Sequence, residues 1–343
     1  MDLSLMGSSP AGRSTLYSLL SYGVIIRYSK SEVNSEGNFL STLVGDSNQK
    51  LLKSKEDLLN YFHPFAKSQE TVLVGLEAEF FGVNALTGRA LPYFGNRGIE
   101  EVLRQMAKLF GYETIEEEGH IIALRKDRQI ISLEPGGQVE LSAPPALNVF
   151  EVEQQIKTFV GQLKEVRDKI GGIEFISFGI QPFSDLDNIE WVPKTRYKIM
   201  SEYLQTHGTL SHDMMKRTAT NQVNFDYLNE EDAMASLRVA LALSSFASAL
   251  FANSSFSKGC PNGYQTKRLD IWNHTDPNRT GLLFELMEEG RTFNDYLEYV
   301  LQCRCFLLFG RGNGFPWAIV HLKHFLTKVF RGLKRRWEIL SFT

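Results

Sequence analysis

Residues 72–81 read VLVGLEAEFF, an apolar run broken only by two acids, Glu77 and Glu79. Val, Leu and Phe in such a run favour a strand. On a strand, residues two apart point to the same face, roughly 6.6 Å apart at about 3.3 Å per residue. Apolar neighbours on both sides make this strand central in its sheet. Two anions converging beside a core cost several kcal/mol unless something compensates them. Arginines, protonation or a divalent cation can do so, and hard oxygen ligands suit magnesium. The competing reading is an edge strand whose acids face water; the surrounding aromatics weigh against it.

A second acidic stretch, SLEPGGQVELS (132–142), repeats the problem with Glu134 and Glu140. Their even separation allows one shared face. Fully extended, six steps span about 20 Å, more than one ion bridges. Either Pro135-Gly136-Gly137 bends the chain, which glycine permits, or the two acids serve different ions. Two magnesium ions on one triphosphate satisfy both geometries.

A third element, RTATNQVNFDY (217–227), places Thr218, Thr220, Gln222, Asn224 and Asp226 in alternation, so one strand face is wholly polar. It reads as an exposed antiparallel strand or as a substrate-facing one. Asn and Asp are poor strand formers, and Lys216 and Arg217 precede them, which favours the second reading. Further cations lie in VPKTRYKIM (Lys194, Arg196, Lys198) and in KRLDIWNHTDPNRTG (Lys267, Arg268, Arg279). Arginine grips carboxylate or phosphate through two parallel donors.

Around these stretches the pattern is mixed. Residues 97–110 and 149–170 carry apolar side chains at helical spacing. The first puts Ile99, Val102, Leu103, Met106 and Phe110 on one face; the second Ile156, Phe159, Val160, Leu163, Val166 and Ile170. Residues 121–135 read as two strands joined at Lys126-Asp127-Arg128, and 172–183 as one strand. Hairpin-like strands with intervening helices predict an α+β fold with a largely antiparallel sheet. The run at 239–252 is too short to span a bilayer and reads as part of a buried helix over 231–252. No other segment looks transmembrane.

The 343 residues suit one large domain or two intimately joined ones, and 43% hydrophobic content suits a sizeable core. A net charge of −3 gives no strong pull toward nucleic acid or membrane. Three cysteines (Cys260, Cys303, Cys305) fit free thiols in a reducing compartment. No GxxxxGK[ST], strand-to-helix GxGxxG, HExxH or GxSxG is present, which disfavours P-loop, dinucleotide, zincin and elbow-serine chemistry. Residues 1–50 are rich in Ser, Gly and Asn and read as an extension; the basic end, HLKHFLTKVFRGLKRRWEILSFT, reads as an amphipathic helix or a solvated face.

Seven stretches occur in a fixed order across roughly residues 70–300: GLEAEFFG, SLEPGGQVELSAPP, VPKTRYKIM, MMKRTATNQVNFDY, ALFANSSFSKG, PNG and IWNHTDPNRTG. Together they resemble the plant and proteobacterial type of glutamate–cysteine ligase. Relatives that make other γ-glutamyl dipeptides share them, so the acceptor amine is less fixed than the reaction class. The resemblance implies a glutamine-synthetase-like curved, largely antiparallel sheet with flanking helices. It implies ATP-dependent joining of the γ-carboxylate of glutamate to the amine of cysteine through an acyl phosphate. Matched onto this chain, it implies magnesium and triphosphate at Glu77, Glu79, Glu134 and Glu140. The same match implies that Gln222 and Lys194 face the nucleotide, that Arg217, Thr218, Thr220 and Asn224 line the substrate pocket, and that Arg196 and Arg268 grip substrate carboxylate or phosphate. Implied partners are glutamate, cysteine and ATP–Mg²⁺, with no nucleic acid or membrane, a cytoplasmic setting, and a homodimer left open.

Two departures stand out. Asn221 sits where the family often has an apolar residue. Relatives continue beyond Thr343, so the expectation is a C-terminally truncated catalytic domain over 51–343, active or reduced to a binding homologue.

Overall fold

The computed structural model of the chain describes residues 55–302, and beyond them the backbone of four two-residue strand segments. Two compact units are distinguished. One comprises Leu73–Phe225 and Ser244–Asp276; the other takes in Asp226–Leu243 and the described parts of Leu16–Val72 and Pro277–Thr343. The expected boundary at residue 51 lies outside the described residues.

The first unit is built on a seven-stranded sheet: β1 (Val74–Asn84), β2 (Glu113–Glu117), β3 (His120–Lys126), β4 (Gln129–Leu133), β5 (Val139–Ser142), β6 (Ile173–Ile176) and β7 (Asn221–Phe225). Every pairing is antiparallel, and the order β2-β3-β4-β5-β1-β6 leaves the sheet open. β7 pairs with the first residues of β1 and β6 with its last four. The apolar run is thus central, as its composition predicts. The fold is α+β.

Alternation decides what each face carries. Leu76, Ala78 and Phe80 are buried. They share a face opposite to Glu77 and Glu79. The Phe80 ring meets Phe159 edge to face at 5.7 Å between centroids. Phe159, Leu163 and Val166 come from the helix Val149–Ile170. Beside it, the helix Ile99–Phe110 buries Ile99, Val102, Leu103 and Met106. Both helical stripes match the predicted periodicity. Helix Val149–Ile170 starts at Asn148, whose side chain accepts from the N–H groups of Phe150 (3.0 Å) and Glu151 (3.1 Å). That capping satisfies donors the first turn leaves unpaired.

The 172–183 stretch departs from expectation: only Ile173–Ile176 is strand. Gln181 turns the chain, its Oε1 accepting from the N–H groups of Phe183 (2.6 Å) and Ser184 (2.7 Å). Ile180 forms a single bridge to Thr218.

In the second unit, helices Lys55–Phe62 and Phe293–Gln302 enclose a core of Met234, Leu286, Phe293, Tyr296 and Val300. Phe62 stacks on Phe293 at 5.1 Å, and Lys55 pairs with Glu298. The helix Glu230–Leu250 begins in this unit and ends in the other. It corrects the expectation of a buried helix. Met234 and Leu241 are buried, but Val239, Leu243, Phe246 and Leu250 are more than half exposed. Its 21 residues are also long and apolar enough to cross a bilayer by length and composition alone, because helical backbone extends well before the apolar run. Cys260 is a free, exposed thiol. The side chains of Cys303 and Cys305 and the basic tail lie outside the described residues; there the backbone pairs Arg304–Cys305 with Val320–His321 and Phe309–Gly310 with Trp337–Glu338.

Candidate active site

The acids are assembled by strand register. Glu79 stands opposite Glu140 across β1 and β5, and Glu77 opposite Gln222 across β1 and β7. Directly opposed residues in antiparallel strands share a face, so Glu77, Glu79, Glu140, Gln222 and Asn224 all lie on the side away from the two long helices. Thr220 leads into this group: its N–H donates to the Glu79 carboxylate at 3.0 Å, and the Glu79 N–H donates to the Thr220 carbonyl at 2.9 Å.

The two geometries left open for Glu134 and Glu140 resolve in favour of a bend. Ser132 pairs with Glu140 across the β4–β5 hairpin. The turn is closed by Glu134 N–H to the Gln138 carbonyl and by Gly137 N–H to the Glu134 carbonyl, both 2.9 Å. Gly137 has φ +82°, a conformation that glycine adopts without penalty. Gly136 is needed for a different reason: a Cβ there would sit 2.3 Å from the Lys216 carbonyl oxygen. The turn brings the Glu134 and Glu140 carboxyls close enough for the Glu140 charge to raise the Glu134 pKa.

Cations surround the acids. Lys194 is buried and donates to the Leu133 carbonyl at 2.7 Å. Arg196 lies over the Tyr197 ring at 4.8 Å and donates to its hydroxyl at 2.9 Å. That hydroxyl donates in turn to the Leu133 carbonyl at 2.5 Å. The helix Thr195–Leu204, which carries Arg196 and Tyr197 and starts just after Lys194, is anchored by Glu117, which accepts from the Thr195 N–H at 2.8 Å. Arg268, on helix Lys267–Asn273, is buried beside Trp272, 5.4 Å from its ring centroid, and its backbone N–H donates to Ser254 Oγ at 3.0 Å.

The electrostatics follow from this crowding. Burial first, then the charges of Glu134 and Glu140, hold the Glu79 carboxyl well above the usual range; Arg268 opposes them. Burial and Glu140 push Glu134 up to about 7, against the pull of Arg196 and Lys194. Burial, then Arg196, bring the Lys194 ammonium down to about 7. Shifts of this size in a group of neighbours mark candidate functional sites.

Not every predicted residue faces the acids freely. Arg217 is buried, paired to Asp213 at 2.7 Å, with a 3.5 Å contact to the Gln181 carbonyl. The Thr218 hydroxyl donates to the Met214 carbonyl at 2.6 Å. These two are tied into the chain itself. Gln222 donates to Asn224 Oδ1 at 3.1 Å. By contrast, Thr220 Oγ1 and Asn224 Nδ2 are buried with no hydrogen-bond partner among the described residues. Buried polar atoms without partners are costly, so these two fit contact with a ligand.

Among the described residues, no three His, Cys, Asp or Glu side chains already form a metal shell. Magnesium does not require one. It is commonly held by one or two carboxylates, with substrate phosphates and water completing the shell. An all-carboxylate group beside three cations suits that mode. The supporting residues Asp213, Tyr197 and Glu117 escaped sequence reading. Asp213 alone had a usable signal, four positions before Arg217 on a helix.

Comparison with known proteins identifies the family. The profile of glutamate-cysteine ligase family 2 matches residues 73–335. The chain is 38% identical over 256 residues to glutamate–cysteine ligase B, chloroplastic, of Oryza sativa subsp. japonica, covering 75% of this chain and 51% of the relative. It is 38% identical over 273 residues to the chloroplastic enzyme of Nicotiana tabacum (80% and 52%), and 39% over 248 residues to that of Arabidopsis thaliana (72% and 47%). The chain spans about half the length of the curated relatives it matches. The acids, their cations and the polar strand all fall inside the matched span, and the chain belongs to glutamate–cysteine ligase family 2.

Proposed function

We propose that this chain is an ATP-dependent ligase that joins the γ-carboxylate of glutamate to the amine of cysteine, giving γ-glutamylcysteine for glutathione synthesis. The carrying observation is the group of four glutamates from neighbouring strands and one turn, with Lys194, Arg196 and Arg268 beside them. Glu77, Glu79, Glu134 and Glu140 would hold magnesium. When bound, the ion neutralises charge on the triphosphate and on the transferred phosphoryl group.

The chain's own residues supply the rest. A free carboxylate is a poor electrophile, and its conversion to an acyl phosphate provides a leaving group. Arg196 and Arg268 stabilise the negative charge spread over the phosphoryl oxygens during transfer. Lys194 and Gln222 face the nucleotide. Thr220 and Asn224 present their unpartnered atoms to substrate, while Arg217 and Thr218 shape the wall behind them. The cysteine ammonium must lose a proton before it attacks, and a carboxylate of the group is suited to take it. The glutamine-synthetase-like curvature of the sheet belongs to this reading.

The test is ADP release by the folded chain, dependent on glutamate, cysteine and magnesium together. No release under those conditions overturns the proposal. A second reading is binding without turnover. It requires ATP–Mg²⁺ affinity by calorimetry with no dipeptide formed. A panel of acceptor amino acids decides whether cysteine is the preferred amine. For location, the relatives' names say chloroplastic and the cysteine content suggested cytoplasm; imaging of a fluorescent fusion distinguishes them. Light scattering decides the homodimer.

A further inference from the structure

Gln138 is the most completely enclosed polar side chain of the acid turn, 1% exposed. Its amide joins two segments that the sequence keeps far apart. Oε1 accepts from the Gly136 N–H at 3.0 Å, inside the turn between Glu134 and Glu140. Nε2 donates to the Thr218 carbonyl at 2.6 Å, with a longer contact of 3.4 Å to the Met215 carbonyl. Thr218 lies two residues before Thr220, whose N–H holds the Glu79 carboxylate. Gly136 packs directly on the Lys216 backbone at the same seam. The Val192 N–H donates to the Pro135 carbonyl at 2.9 Å, so the segment leading to Lys194 joins it too.

We infer that Gln138 is a positioning residue, a buried strut that fixes the distance between the Glu134–Glu140 turn and the segment from Thr218 into β7. The inference rests on the ligase reading for its kinetic consequence but not for the strut itself. A primary amide is the group that does this: it accepts at one end and donates at the other. A carboxylate of the same shape keeps the first bond and sets an acceptor against the Thr218 carbonyl. A thioether of similar length keeps the packing and makes neither bond. Small displacements of groups that must act together in a transition state cost turnover more than affinity.

The test compares wild type, Gln138→Met and Gln138→Glu by hydrogen–deuterium exchange and steady-state kinetics. In Gln138→Met, amides of residues 218–222 are expected to exchange about tenfold faster or more, because their local opening is no longer tied to the turn. In Gln138→Glu the same segment loosens while the Gly136 amide stays protected. The value of kcat falls about tenfold or more, with KM for ATP within about threefold. Unchanged exchange at 218–222 overturns the strut. Faster exchange with kcat within about threefold of wild type overturns the positioning role. Loss of cooperative melting in both variants also overturns it, in favour of a purely structural part. If wild type releases no ADP, the ligase reading fails; the exchange comparison still decides the strut.

Discussion

Glu134 is pulled in opposite directions, upward by burial and Glu140, downward by Arg196 and Lys194. Its folded-state value of about 7 lies above the ordinary 4.5. Between those values the folded chain binds more protons than the unfolded one, so this residue makes stability fall as pH rises from 4.5 to about 7. Lys194 acts on the other side of neutrality. Its folded value of about 7 lies below 10.5, so the unfolded chain binds more protons in that window and stability rises with pH. Without divalent metal, these two groups place a minimum in melting temperature near neutral pH. Glu134→Gln should flatten the acid-side fall, and Lys194→Met the alkaline-side rise, in melts run across pH. Glu134→Gln should also weaken ATP–Mg²⁺ binding by more than about tenfold, or about 1.4 kcal/mol. Unchanged affinity by calorimetry removes Glu134 from the metal shell.

Elements carry these residues to their places, and their joints are open to test. The acid turn meets the helix Ser211–Arg217 where Gly136 lies on Lys216. Gly136→Ala forces a Cβ against backbone that cannot rotate away, and should cost about 2 kcal/mol or more in denaturant melts. Arg217 depends on Asp213, and both side chains are largely removed from water, 9% and 16% exposed. Asp213→Ala leaves a buried charge unpaired and should cost about 3–5 kcal/mol, whereas an exposed pair would lose far less. At the long helix, Asn148→Ala removes an N-cap and should cost about 1 kcal/mol, without altering ATP–Mg²⁺ affinity. That last control separates damage to the scaffold from damage to the site.

For the molecule as a whole, ligand linkage is the broadest test. ATP–Mg²⁺ at about 100 times its Kd should stabilise the chain by about 2.7 kcal/mol. ATP with a chelator should raise the melting temperature far less, since the acids would then face the triphosphate without a cation between them. The helix Glu230–Leu250 offers a second test. Val239, Leu243, Phe246 and Leu250 are exposed, so Phe246→Ser should change stability by less than about 0.5 kcal/mol. A larger loss would mean that something covers this face in solution.

The sequence by itself determined the central strand, the two amphipathic helices and the identity of the acids, because these depend on local alternation and helical period. Apolar flanks placed Glu77 and Glu79 in the interior of a sheet without reference to any other residue. Tertiary structure alone decided the rest. Spacing left open whether Glu134 meets Glu140; the Gly137 turn and the Ser132–Glu140 register bring them together. Spacing could not reveal that Arg217 would be occupied by Asp213, or that Gln138 would span to Thr218, 80 positions away. Nor could it show which side of helix Glu230–Leu250 meets a core. A strand or helix face is set by periodicity within one segment. Which groups meet across segments is set by how chain ends pair and pack, and no local pattern encodes that distance.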